Sequence, residues 1–265
     1  MGKPTNIFFE HLLKASPIDF QQISPEELKE MGEAHHNHIF DLDGPRSIKR
    51  KPLPAELWYH RRLFAPYSAI FNSYEALQDS VIYFRRFPYH GSRVSAVNHL
   101  RRNINVYLQE IYILRQRMID YLNILEKDYA GCPQGTQLKS YNQPLCQTLK
   151  KALQPIISAR RNHVHGGGYD EEGLKRLDSL HLLATYTSKK DTDEDKRRLF
   201  IYNFLHKQGY QKERKRWVKL VQHWNSTIEK LIDAYCEIID RILFTETGGL
   251  IFPPLAKNYS PNENE

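Results

Sequence analysis

Cysteine is scarce in this sequence: Cys132, Cys146 and Cys236 are the only three, too few for a disulfide framework and at no metal-ligand spacing. That scarcity predicts a reducing, cytoplasmic setting. No apolar run is long enough to span a bilayer, and the N-terminus lacks a positively charged lead followed by an apolar core, which predicts a chain neither exported nor membrane-bound. Also missing are an alternating apolar stretch of strand length, an internal repeat, a low-complexity tract and a glycine loop closed by Lys-Ser/Thr. These absences argue against a sheet and against a phosphate-cradling loop. No pair of carboxylates, Ser/His/Asp arrangement or Cys/His pairing stands out, so hydrolytic chemistry built on those groups has little support, and no cofactor is predicted.

What remains is helical. At 265 residues the chain is one large domain or one domain with additions, long enough for a substantial core. Its formal charge of +7 and pI of about 9.1 permit an anionic partner without requiring one. Phe8, Phe9, Leu12 and Leu13 suggest a short docking helix. Ser24-Pro25-Glu26-Glu27 reads as a helix start, with Ser24 as N-cap and Glu27 as capping-box partner. His35, His36 and His38 lack a nearby carboxylate or cysteine at a recognised spacing and read as solvated histidines. Residues 41–54 read as a basic loop, and 55–87 as a helix rich in Tyr and Phe that Pro66 bends or interrupts.

Residues 92–129, with Ser92 as their predicted cap, carry the most regular pattern. Val97, Ile104, Ile111, Met118 and Leu125 recur every seven residues, with Leu100, Tyr107, Leu114 and Tyr121 between them, as in a long bundle helix. The other face, with Arg101, Arg102, Arg115 and Arg117, reads as solvated first and RNA-facing second. Residues 130–143 read as a loop leading into a helix over 144–164 that Pro155 kinks. A short amphipathic helix follows at Leu174, Leu177, Leu180 and His181, then another over 194–207 that Gly209 interrupts or ends. The last long helix starts near Tyr210. Its predicted seam is Trp217, Trp224, Leu231 and Ile238 with Val221, Ile228, Tyr235 and Ile242. Lys212, Arg214, Lys215, Arg216 and Lys219 load its predicted first turns with positive charge, which opposes the helix dipole unless RNA or Glu213 offsets it.

The stretch Arg160-Arg161-Asn162-His163-Val164-His165 ends a helical pattern and is followed by three glycines that stop it. Carbonyls at a helix C-terminus favour an imidazolium at His165, while two nearby arginines oppose it, so a group of ordinary pKa near ~6.5 is placed to exchange protons near neutrality. Arg161 and Asn162 share a helical face with His165, and Arg160 points away from it. Basic residues also gather at helix C-termini for dipole reasons alone.

An arginine followed by a polar residue and then a histidine late in a helix of an all-helical chain resembles the HEPN superfamily (higher eukaryotes and prokaryotes nucleotide-binding). Arg160 and His165 have four residues between them, while Arg161-Asn162 matches the usual Arg-Asn opening with three, so both registers stay open and His163 is a possible second imidazole. The resemblance implies an all-α fold: an antiparallel helical bundle over residues 91–246, an N-terminal helical extension over 1–90 and a tail over 247–265. It further implies a metal-independent endoribonuclease that acts as a homodimer, in a toxin or phage-defence setting with an antitoxin or defence-system partner protein. The substrate's 2′-hydroxyl attacks phosphorus, His165 handles the proton, Arg160 or Arg161 stabilises the developing charge, and Asn162 orients the group or substrate. His163, Lys212, Arg214, Lys215, Arg216 and Lys219 would hold the RNA. Two other readings stand beside this one: a non-catalytic binding or assembly module of the same family, and a helical protein that binds nucleic acid through its basic face without cutting it.

Overall fold

The computed structural model describes residues 2–15, 55–86, 94–165, 172–190 and 192–257, with isolated positions at 26, 29, 30, 33 and 36; for residues 57 and 155–165 it describes the backbone alone. These residues form α1 (Lys3–Lys14), α2 (Ala55–Arg85), α3 (Ala96–Asp128), α4 (Pro133–His165), α5 (Glu172–Thr187), α6 (Asp193–Leu243) and a single turn, α7 (Pro254–Lys257). The fold is all-α. Among the described residues the only β-type pairing is an isolated bridge between Phe244 and Leu250. Ser24, His35, His38, the 41–54 stretch, Ser92 and the glycines at 166–168 lie outside the described residues.

The chain divides into two compact units, each assembled from separated stretches: Met1–Tyr67, Asn123–Tyr141 and Asp233–Glu265 in the first, Ser68–Leu122 and Asn142–Ile232 in the second. In the first unit α1 buries Phe8 and Leu12 completely. Phe8 meets Tyr67 edge-on at 4.9 Å and Phe244 at 5.9 Å. Thr5 donates a hydrogen bond to the Asp233 carboxylate, and His11 Nδ1 lies 2.8 Å from Asp240 Oδ1. The neighbouring Cys236 thiol, also buried, is pushed up to about 12 by desolvation, which makes it an inert core group. After α6 the chain turns back: Ile251 N–H donates to Leu243 O (2.9 Å) and Tyr129 Oη donates to Ile251 O (2.6 Å).

The predicted loop over 130–143 is a turn only at 130–132; from Pro133 the chain is already in the first three turns of α4. Pro133 occupies the first helical position, where its missing N–H costs nothing. The helix then continues through Pro144 and Pro155 to His165. Gly135 is in this register because a Cβ there would lie 2.0 Å from the Tyr129 carbonyl oxygen, which already accepts the Cys132 N–H at 3.2 Å. Gly135→Ala is therefore expected to destabilise the chain by about 1–3 kcal/mol through backbone overpacking, although helix propensity alone favours alanine by about 1 kcal/mol. Urea unfolding checks the sign: a more stable variant would mean that this close approach is absent.

In the second unit α2 runs antiparallel to α3, with Asn103 Nδ2 donating to Tyr83 O (3.0 Å) and Arg117 Nη1 to Ala69 O (2.8 Å). α2 is also antiparallel to α6, since Asn225 Nδ2 donates to Leu77 O (2.8 Å) and Phe84 stacks on Trp217 at 5.9 Å. Every α3 seam residue from Val97 to Leu125 is buried as its spacing predicts. Arg117, expected on the solvated face, is instead held by α2. The cap of α3 is Ser95, whose Oγ accepts Asn98 N–H at 3.1 Å.

The predicted break at Gly209 is absent. α6 is one helix of 51 residues, begun at Thr192, whose hydroxyl accepts the Asp195 N–H (3.1 Å), and by the acidic run Asp193, Glu194 and Asp195. Gly209 serves close packing: a Cβ there would lie 2.8 Å from Leu177 Cδ2 of α5. The predicted α6 seam holds at five of its eight positions. Trp217, Val221, Ile228, Tyr235 and Ile242 are buried, whereas Trp224, Leu231 and Ile238 are only partly so, and Asn225, Ile232 and Ile239 take their place.

Candidate nucleic-acid interface

Charge in this chain is concentrated on the middle of α6. Residues 207–223 hold six Lys or Arg against one acid, Glu213, a local balance of 6 − 1 = +5 beside +7 for the whole chain. The buried side of the helix determines where these charges point. Trp217 and Val221 are at most 1% exposed and Asn225 is 3% exposed. Asn225 is fixed from two directions, accepting from Tyr107 Oη (2.8 Å) while donating to Leu77 O. Burial drives the Tyr107 phenol pKa up, so the hydroxyl keeps its proton and stays a donor.

With that side locked, Lys212, Lys215, Arg216, Lys219, Leu220 and His223 line a shallow groove of about 550 Å³. Their spacing of i, i+3, i+4, i+7, i+8 and i+11 is a single helical face, about 16 Å long at the α-helical rise. Lys212, Lys215, Arg216 and Lys219 are exposed. Glu213 is near enough to neutralise one of them, with Arg216 Nη1 at 3.2 Å from its Oε2. Arg214, predicted with the others, is not in this groove; its guanidinium lies over the Tyr210 ring, 5.8 Å from the centroid.

The cluster is mid-helix, about twenty residues after Asp193, so the expected conflict with the helix dipole does not arise. Its positive charge is held against mutual repulsion by the burial of Trp217 and Val221 on the reverse side. Such a row of ammonium and guanidinium groups can pair with successive phosphates, the contacts that position a nucleic acid without depending on its sequence.

Sequence reasoning missed a second feature of this unit. His181 of α5 and His206 of α6 face each other with ring centroids 5.9 Å apart, and Arg101 binds Asp178 one turn earlier on α5. Burial lowers the His206 pKa, His181 lowers it further, and Asp178 opposes the shift. The balance favours the neutral imidazole of His206 over its charged form. Only the antiparallel pairing of α5 with α6 brings two histidines 25 positions apart together, which no local pattern signals.

The backbone is helical through Arg160-Arg161-Asn162-His163-Val164-His165, and α4 ends at His165. The side chains of Arg160, Arg161, Asn162, His163 and His165 lie outside the described residues. Among the described residues no group of three or more His, Cys, Asp or Glu is placed to hold a metal ion, and no helix is long and apolar enough to cross a membrane.

No protein-family model, curated protein or solved structure matches this chain.

Proposed function

We propose that this protein engages RNA along the basic face of α6 and cuts it as a metal-independent endoribonuclease with the Arg/His end of α4. The observation that carries the binding half is the row Lys212, Lys215, Arg216 and Lys219, aligned on one helical face and held outward by a buried tryptophan. The cutting half is supported by the helix that runs unbroken to His165 and by the HEPN-like motif. In this reading His165 takes the 2′-hydroxyl proton, and Arg160 or Arg161 meets the charge on phosphorus. Asn162 orients the reacting group, and His163 with Arg214 adds contacts beside the α6 row. The resemblance brings with it a homodimer and an antitoxin or defence-system partner, and the scarce cysteines bring a cytoplasmic setting.

RNA affinity measured across a salt series tests the binding half. Replacing Lys212, Lys215, Arg216 and Lys219 together by alanine is expected to weaken binding about 100-fold near physiological salt, and to lower the slope of log K against log salt by about 3 for a single strand. The loss should be the same for unrelated RNA sequences. Unchanged affinity and slope would remove α6 as the binding face. The alternative, a helical protein that binds RNA without cutting it, is favoured by the same α6 row and is separated by cleavage: binding that depends on the row, with intact RNA recovered, selects it.

A further inference from the structure

We propose that the α5–α6 hairpin is a self-association surface on which a second copy of this chain docks, hairpin against hairpin, as an antiparallel four-helix arrangement. α5 and the first half of α6 are paired antiparallel, with Leu177 against Gly209 and His181 against His206. Leu174, Leu177 and Ala184 supply the buried side of α5. The outward sides are apolar as well. Leu182 is 70% exposed and Tyr186 63% on α5; on α6 Phe200 is 72%, Phe204 53%, Ile201 50% and Leu205 46% exposed.

These six fall into i, i+4 pairs, 182/186, 200/204 and 201/205, so each forms a continuous stripe along its helix. Phe200 and Phe204 stack on each other at 6.5 Å, which presents one flat aromatic surface. Charge is absent from the same stretches: residues 179–188 and 199–206 contain no Asp, Glu, Lys or Arg. Charge gathers instead at the tip, with Lys189 and Lys190 on one side of the turn and Asp193, Glu194 and Asp195 on the other. A centre without charged residues inside a rim of both signs, with the Lys190 ammonium 4.7 Å from the Tyr186 ring centroid at its edge, matches the composition of a protein interface core.

A second copy fits this surface by area and by symmetry. With full aromatic side chains of ~150–250 Å², the six present on the order of 600 Å² of apolar surface per chain, close to the ~800 Å² per partner of a stable interface once a polar rim is added. A scattered set of exposed side chains would need no partner; a contiguous patch of this size does. A surface with no net charge in its centre gives an anionic or cationic partner nothing to recognise, whereas a two-fold axis places apolar stripes on apolar stripes. Two such hairpins make a four-helix bundle, in which i, i+4 ridges interdigitate. The proposal rests on the homodimer of the proposed function in that it gives that homodimer a surface, and its test reads mass alone, so it stands or falls apart from RNA binding and cleavage.

Sedimentation velocity of the nuclease-treated full chain, from about 1 to about 50 µM, is the test. The expected result is a species at twice the 31.3 kDa chain mass. Phe200→Glu combined with Leu182→Glu should sediment as the single chain, with a self-association Kd raised about 30-fold or more and unchanged helicity by circular dichroism. Should that variant lose helicity, Phe204→Gln gives the same readout with a smaller perturbation. Lys212→Glu, on the RNA-facing row, should leave self-association intact. The proposal is overturned if the wild type is a single chain throughout, if folded Phe200/Phe204 variants associate like wild type, or if Lys212→Glu alone disperses the copies.

Discussion

His165→Ala is expected to lower the rate of RNA cleavage by about 10²–10⁴-fold while leaving RNA affinity within a few-fold of wild type. In the proposed reaction the 2′-oxygen forms a bond to phosphorus as the bond from phosphorus to the 5′-oxygen breaks. The products are a 2′,3′-cyclic phosphate and a 5′-hydroxyl. One proton leaves the 2′-hydroxyl and one arrives at the 5′-oxygen, so a group that exchanges protons near neutrality accelerates both ends, and a cation stabilises the charge on the non-bridging oxygens between them. Loss of the imidazole should also remove the limb of the pH–rate profile in the range of an ordinary histidine, near ~6.5. Arg160→Ala and Arg161→Ala, made singly, assign the register: the arginine that acts on phosphorus is the one whose loss slows cleavage without changing that limb. The assay is run with a chelator present. A wild-type chain that leaves transfer and total RNA intact, or a folded His165→Ala that cuts at the wild-type rate, ends the nuclease reading and leaves binding along α6.

Arg62→Leu is expected to cost about 3 kcal/mol of stability, near the lower end of the ~3–5 kcal/mol for breaking a buried ion pair because the guanidinium is partly solvated. Asp128 is the last residue of α3, where the helix dipole disfavours a carboxylate, and its side chain is 2% exposed. Arg62 compensates with a bidentate pair, Nε to Oδ2 and Nη2 to Oδ1, both 2.8 Å, and lies over the Trp58 ring at 5.7 Å. The same hydrogen bonding to Asp128 outweighs burial and raises the Arg62 pKa. Removing the arginine leaves a buried carboxylate without its cation, whereas Asp128→Asn leaves only a neutral amide and should cost less. At ~2–4 °C per kcal/mol for a chain of this size, the Arg62→Leu transition should fall by about 6–12 °C. Equal losses in the two variants would mean that the paired hydrogen bonds themselves, and not an uncompensated buried carboxylate, carry the effect.

The helices were legible wherever apolar spacing alone decided burial. α3 is the clear case: nine seam positions from Val97 to Leu125 were named from periodicity and all nine are buried. α1 was legible from Phe8 and Leu12 for the same reason. Where a residue's role is set by a neighbour distant in sequence, local signals misled. Gly209 has the look of a helix break, yet it is there so that α6 can approach Leu177; Gly135 similarly accommodates the Tyr129 carbonyl. Asn225 carries no local signal, because an amide within an apolar seam has meaning only once Tyr107 and Leu77 are beside it. Arg117 resembled a surface charge until α2 supplied the Ala69 carbonyl and the Ser73 hydroxyl. Of the candidate site, the α6 row was legible as a charge cluster, but its helical face and the departure of Arg214 required the long helix to be seen as one piece.

The pairing of α1 with the end of α6 has a consequence for synthesis. Thr5 and Asp233 are 228 positions apart, and His11 and Asp240 are 229 apart. At ~5–20 residues per second, Asp233, Asp240 and Phe244 leave the ribosome about 10–50 s after α1 has emerged, well after Tyr67. During that interval α1 has only part of its native surroundings, so its docking is completed by the final turns of α6 and is among the latest contacts to form.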